Sequence, residues 1–198
     1  MVTTIGGLPP PFSFLPQPMS QSALLIIDMI NTFEFEGGAS LARGAEDAAR
    51  RIAGLRRRWQ EAGAPVIFVN DNFMRWQADF RELVAVCAHD GMRGATIARR
   101  LQPGPEDYFV LKPKHSAFLS TPLDVLLAKL EVKELVLTGV AADSCILATS
   151  QDAHMREFQV RVPRDCVAAI SEARKERALA VMRDGWHVDV RSSRAVRP

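Results

Sequence analysis

Short, unbroken apolar runs separated by polar stretches of helical period organise this chain. The first is Ala23-Leu24-Leu25-Ile26-Ile27. Similar runs follow at Pro65-Val66-Ile67-Phe68-Val69, Tyr108-Phe109-Val110-Leu111, Glu134-Leu135-Val136-Leu137-Thr138, Phe158-Gln159-Val160-Arg161-Val162 and Trp186-His187-Val188-Asp189-Val190. Runs of this kind are expected of strands buried on both faces. Between them, residues 43–62 set Ile52, Leu55 and Trp59 on one helical face and stop at Gly63. Thr121-Pro122-Leu123-Asp124 predicts a helix start, with threonine as N-cap, proline at the first helical position and a carboxylate in the first turn. Residues 143–157 and 171–184 read as two further helices, the second ended by Gly185. Alternating strands and helices predict an α/β fold with three α/β/α layers, a central, mostly parallel six-stranded sheet and right-handed crossovers. The ligand site of such a sheet lies beyond the carboxyl ends of its strands.

Composition bounds this picture. With 198 residues, 47% of them hydrophobic, the chain suits one domain over residues 23–198, preceded by a proline-rich arm over residues 1–22. Lys and Arg total 25 against 23 Asp and Glu, with signs mixed along the chain, so neither nucleic acid nor an acidic partner is expected. The arm has no basic leader and its prolines interrupt any apolar helix; no later run approaches the roughly 18–20 residues of a membrane span, so no membrane association is expected. Cys87, Cys145 and Cys166 are odd in number, widely spaced and free of any CxxC pattern, which fits a reducing cytoplasmic setting. No GxGxxG or GxxxxGK[ST] follows a strand, so a nucleotide cofactor has no support and none of any kind is expected.

Three polar residues fall at strand ends. Asp28 closes the first apolar run, Lys112 the third, and Cys145 follows the fourth at the head of a helix. An acid, a cation and a thiol on one edge have the logic of an activated nucleophile. A cysteine in a first helical turn also meets unpaired N–H groups and the positive end of the helix dipole, which favour thiolate. Asp143 reads as that helix's cap. His154 stands about ten residues beyond Cys145, roughly 15 Å along the helix, too far to be its base. Cys87 and Cys166 have no such neighbours and read as structural.

The segments LLIIDMINTF, VLKPKHSAFLSTPLDVLL and LVLTGVAADSCILATSQDAHMREFQVRVPRDC, in this order and spacing, resemble the cysteine hydrolases of the isochorismatase-like superfamily, which includes nicotinamidases, N-carbamoylsarcosine amidase and ureidoacrylate amidohydrolases. The resemblance implies a catalytic triad of Asp28, Lys112 and Cys145; Lys112 rather than Lys114 matches because the family lysine stands four residues before the Ser116-Ala117-Phe118 segment. It also implies a cis peptide before Ala141, an oxyanion hole formed by the backbone N–H groups of Ala141 and Cys145, and a homodimer or homotetramer. The expected activity is metal-independent hydrolysis of a small amide, N-carbamoyl or ureido compound through a thioester, with a small molecule as the partner. Isochorismate-type vinyl-ether hydrolysis is an alternative, although members with that activity typically lack the cysteine nucleophile. A non-catalytic member of the fold is another.

Departures from the family pattern refine these expectations. Nicotinamidases carry a metal site signed by Asp-x-His after the second strand, where this chain has Asp71-Asn72-Phe73; His89 would stand alone, so no metal is expected. Many relatives have Asp-x-Gln where this chain reads Asp28-Met29-Ile30-Asn31, which leaves Asn31 as a replacement candidate. Phe33, Phe35, Phe73, Trp76 and Phe118 are candidate pocket walls or, equally, packing aromatics. Asp71, Asn72 and His115 are candidate hydrogen-bonding partners for substrate, and Asp71 is also a candidate cap for a following helix.

Overall fold

The computed structural model describes residues 21–73 and 77–198; most of the proline-rich arm and Trp76 lie outside the described residues. Six strands form one parallel sheet: β1 (Ser22–Ile27), β2 (Val66–Asp71), β3 (Tyr108–Lys112), β4 (Glu134–Val140), β5 (Gln159–Arg161) and β6 (Val167–Ala168). The order is β3-β2-β1-β4-β5, with β6 beside the carboxyl-terminal half of β4 and β5 beside its amino-terminal half. Helices α1 (Gly38–Glu61), α2 (Phe80–Cys87), α3 (Ala95–Arg100), α4 (Leu123–Lys129), α5 (Leu147–Met155) and α6 (Glu172–Trp186) cover it.

The unbroken apolar runs have a direct cause in this architecture. Successive strand residues point to opposite faces, so Leu24 and Ile26 of β1 enter the core under α1, while Ala23, Leu25 and Ile27 enter the core under α4, α5 and α6. Strand β4 divides the same way, Val136 and Val140 to the first core and Leu135 and Leu137 to the second. On α1, Ile52, Leu55 and Trp59 are fully buried as the spacing predicts, and the Trp59 indole N–H donates to Ser22 O at 3.2 Å. That bond ties the end of α1 to the start of β1.

Several expectations are corrected. Trp186–Val190 is not a strand: α6 runs through Gly185 to Trp186, and His187 ends it in the left-handed region at φ 58°. Only Asp189 bridges to Arg161, and the sixth strand is instead Val167–Ala168. Alternation in Trp186-His187-Val188-Asp189-Val190 mimics a strand, but a left-handed residue breaks the extended run. Pro122, not Thr121, takes the N-cap place of α4, although Thr121 Oγ1 still accepts from Leu123 N–H at 3.2 Å. Helices α2 and α3 lie outside the expected elements, although Phe80, Leu83 and Cys87 of α2 stand at i, i+3 and i+7 and bury one face; α2 starts on a capping box between Asp79 and Glu82. The expected helix over 143–157 opens as a π-helical turn, Ala142–Ile146, before α5. Among the described residues no helix is long and apolar enough to cross a membrane.

The fold depends on one close approach beside β1. Gly139 has φ 112°, and a Cβ there would fall on the carbonyl of Ile27. Gly139→Ala is expected to lower the unfolding free energy by about 3 kcal/mol or more, read as a drop in the urea midpoint. Gly54→Ala, mid-helix with open space around it, should raise it by about 0.5–1 kcal/mol.

Candidate active site

Strands β1 and β4 are neighbours in the sheet, and the chain leaves β1 toward β2 on the other side. A crevice opens at such a reversal. Asp28 follows β1 directly, in the left-handed region at φ 53°, its N–H donating to Val69 O at 2.9 Å. The turn aims its carboxylate across the strand ends: Oδ1 accepts the Asp71 N–H at 2.7 Å and Oδ2 meets Lys112 Nζ at 2.9 Å. Lys112 is the last residue of β3 and is fully buried. Its ammonium has three N–H donors, and three acceptors surround it: Asp28 Oδ2, Lys114 O at 3.1 Å and Cys145 Sγ at 3.5 Å.

Cys145 comes from the other side of the crevice, in the π-helical turn after β4. The Val140–Ala141 peptide that leads into this turn is cis, and the Ala141 carbonyl accepts from both Ser144 and Ile146 N–H. The loop after β3 is fastened to the same helix, since Thr149 Oγ1 accepts the Ala117 N–H at 3.0 Å and Ser116 hydroxyl meets Asp152. These bonds hold Lys112 and Cys145 in register across the crevice.

Burial dominates the electrostatics. Asp28 is 6% exposed and Cys145 9%. Desolvation holds the Asp28 carboxyl above the usual carboxylate range, with Lys112 opposing it. Burial alone would lower the ammonium of Lys112, but Asp28 and then Cys145 raise it above its ordinary value. The Cys145 thiol is pushed up to about 12, first by burial and then by the Asp28 charge, which together outweigh Lys112. Burial and the Asp28 charge therefore work against the thiolate expected from the helix-head position and push the thiol up. The helix-head position does not compensate for loss of water around the sulfur and a carboxylate at hydrogen-bonding range.

The isochorismatase domain model matches residues 22–192. The chain belongs to the isochorismatase family. It is a hydrolase of that family, 40% identical over 163 residues to the uncharacterized isochorismatase family protein YaaI of Bacillus subtilis (strain 168), across 82% of this chain and 89% of the relative. It is 29% identical over 182 residues to the ureidoacrylate amidohydrolase RutB of Enterobacter sp. (strain 638), across 79% of this chain and 78% of the relative. Its fold resembles a crystal structure of an isochorismatase family protein from Desulfovibrio vulgaris Hildenborough, with a TM-score of 0.73 and 28% identity over 88% of this chain and 95% of that one.

The remaining candidates of this isochorismatase-family chain divide by position. His115 is exposed at the mouth, its Nδ1 3.1 Å from Ser144 Oγ and 3.8 Å from Cys145 Sγ. Ser144 has no signal in the sequence beyond lying next to the cysteine. Asp71 is exposed at the end of β2 and gives its N–H to Asp28, while Asn72 is buried with its N–H toward Lys112 O at 3.4 Å. Asp71 does not cap a helix; Asp79 caps α2. Two aromatics prove to be packing residues. Phe33 is fully buried in the core under α1, where added methyl groups at Gly38 or Gly94 would strike its carbonyl or ring. Phe118 is buried against Phe158, with Arg156 over its ring at 4.6 Å. Phe35 and Phe73 remain exposed. Asn31 does not supply a glutamine's reach, since its Oδ1 accepts the Phe33 N–H at 2.7 Å within its own turn. Asp143 caps nothing and pairs with Arg174. Cys87 and Cys166 are buried and free.

The residues do not fit the metal centre of the nicotinamidases. Asn72 and Phe73 stand where its histidine belongs, His89 is exposed past the end of α2, and no three His, Cys, Asp or Glu side chains converge among the described residues.

A thiol at about 12 makes a definite kinetic prediction. Iodoacetamide reacts with thiolate, so alkylation of Cys145 should climb about tenfold per pH unit from about pH 7 to about pH 10, without the plateau a free cysteine shows above about 8.5. Peptide mass spectrometry after timed labelling reads this directly. A plateau near neutral pH would show a stabilised thiolate instead.

Proposed function

We propose that this chain is a cysteine amidohydrolase that cleaves a C–N bond in a small amide, N-carbamoyl or ureido compound. The observation that carries the reading is the buried ammonium of Lys112 held against both Asp28, at 2.9 Å, and Cys145, at 3.5 Å. That arrangement joins a proton acceptor to a nucleophile and neutralises the negative charge whichever of the two holds it. Similarity to a ureidoacrylate amidohydrolase supports the reaction class.

The steps follow from the proton's position. As a carbonyl carbon approaches, the Cys145 proton passes to Asp28 while sulfur forms the new bond. A carboxylate raised by burial is a stronger base than an ordinary one, which suits it to the transfer. The tetrahedral oxyanion is met by the N–H groups of Ala141 and Cys145, donors of a kind whose loss typically costs about 2.7–4 kcal/mol of barrier. Collapse breaks the C–N bond, and the departing nitrogen takes the proton from Asp28, leaving a thioester. Asp28 then takes a proton from water as its oxygen bonds to the acyl carbon, the C–S bond breaks, and the proton passes from Asp28 to sulfur. The products are an acid and ammonia or an amine. His115, exposed beside Ser144, hydrogen-bonds the substrate at the mouth.

Ammonia release over primary amides, N-carbamoyl amino acids, ureido acids and nicotinamide, with and without chelator, tests this. Wild type should turn over one of these classes irrespective of chelator, and Cys145→Ala none. Turnover retained by Cys145→Ala would overturn the cysteine mechanism, and loss on chelation its metal independence. Asp28→Asn should lower kcat by about 10²–10⁴-fold. His115→Ala is expected to raise KM about tenfold with kcat little changed, as for one lost substrate hydrogen bond. A fall in kcat alone would place His115 in the chemistry.

A further inference from the structure

We propose that the groove between the second half of α1 and residues 193–197 binds a compact anion of the diphosphate type, at a site separate from the crevice around Cys145. The groove has a volume of about 340 Å³, and five arginines line it: Arg50, Arg51, Arg58, Arg194 and Arg197, with Gly54 and Ser193 between them. No carboxylate lines it. Arg50 pairs with Asp47, but among the described residues Arg51, Arg58, Arg194 and Arg197 meet no carboxylate. Elsewhere on this surface Arg93, Arg156, Arg164, Arg174 and Arg191 each have one. The near balance of charge along the chain therefore hides an unbalanced cluster in space.

The groove is also built. The half-buried Arg58 is fixed by hydrogen bonds to Val196 O at 2.9 Å and Ser193 O at 2.8 Å, and Arg197 by bonds to Arg194 O at 2.7 Å and Val196 O at 2.9 Å. Asp165 accepts from Ser193 with both carboxylate oxygens, at 2.6 Å to N–H and 2.7 Å to the hydroxyl, which holds the segment in place; it forms no direct ion pair with the groove's arginines. Two guanidinium groups are thus fixed and two others, Arg51 and Arg194, are exposed and available to close on a ligand. Planar guanidinium forks match phosphate oxygens in bidentate fashion. Gly54 leaves open space at the helix surface, which lets an anion approach α1.

Compactness follows from the flank. The adjoining groove shares Arg50 and Arg51, but its other cations, Arg164 and Lys175, are paired with Glu176 and Glu172, and Asp47 and Asp165 also line it, so the excess of unpaired arginines is confined to the short groove rather than continued along α1. Separation from the crevice follows from the topology. The Trp59 bond to Ser22 places this end of α1 at the amino edge of the sheet, opposite Cys145.

Isothermal titration calorimetry with inorganic pyrophosphate at low ionic strength tests the proposal. Saturable binding at one site is expected, weakened about tenfold or more in Arg51→Ala and in Arg194→Ala and unchanged in Arg57→Ala, an exposed α1 arginine outside the groove. Cys145→Ala should bind as wild type, so the result is independent of the amidohydrolase reading. Pyrophosphate should also raise the wild-type Tm, a measurement that needs no variant. Absence of saturable binding, or equal weakening by Arg57→Ala, would overturn the proposal. So would binding of a single-stranded oligonucleotide through Arg51 without binding of pyrophosphate.

Discussion

A fully buried ammonium has to be surrounded by acceptors, and the Lys112 ammonium is the constraint on which the site depends. An isolated charge of this size would be neutralised rather than buried. Here the acceptors come from separate stretches of chain: Asp28 after β1, the Lys114 carbonyl after β3, and the sulfur of Cys145 after β4. Each acceptor is useful only if the strands that carry it are in register. The lysine therefore links catalytic geometry to sheet topology, and removing it would leave the Asp28 carboxyl buried without its cation, a loss of the order of 3–5 kcal/mol in comparable pairs.

Burial of the central strands on both faces does not by itself set that register. Slippage of a one-faced strand by one residue exchanges core for solvent; in β1, both alternating sets lie in cores, so apolarity alone would tolerate the slip. Other features must fix the registration. One is Gly139, which admits the Ile27 carbonyl where any Cβ would collide. Another is Thr138, whose buried hydroxyl donates to Leu25 O at 2.8 Å. Both sit on β4 against β1, between the two strands that deliver Asp28 and Cys145.

Strand positions and the site edge are legible in the sequence for the same reason: a two-faced buried strand must be continuously apolar, so the first polar residue marks its end. Asp28 is found this way; Lys112 likewise closes an apolar run, although β3 is an edge strand with Phe109 exposed. The same rule misreads Trp186–Val190, where His187 adopts a left-handed conformation that no hydrophobic pattern encodes. Phe33 and Phe118 stay open between pocket wall and packing residue in the sequence, because an aromatic on a loop looks alike whether a neighbour covers it or a ligand does. The structure adds their packing partners, the small residues around Phe33 and the Arg156 guanidinium over Phe118. The state of the cysteine is illegible for a related reason. A helix head argues for thiolate, but desolvation and the approach of Asp28 depend on residues far away in sequence.

Charge in this molecule is handled in two opposite ways, and the contrast bears on function. At the crevice the charges of Asp28 and Lys112 are buried and matched, so that one proton can move between sulfur and carboxylate while the ammonium stays within reach of both. In the groove beside α1 the guanidinium groups are organised by backbone carbonyls, which fix their positions without cancelling their charge. A carboxylate in place of either carbonyl would satisfy the same geometry with an additional Coulomb gain. Its absence leaves a field that only a mobile anion can neutralise, and a matched site cannot offer that field because its own partners already occupy it.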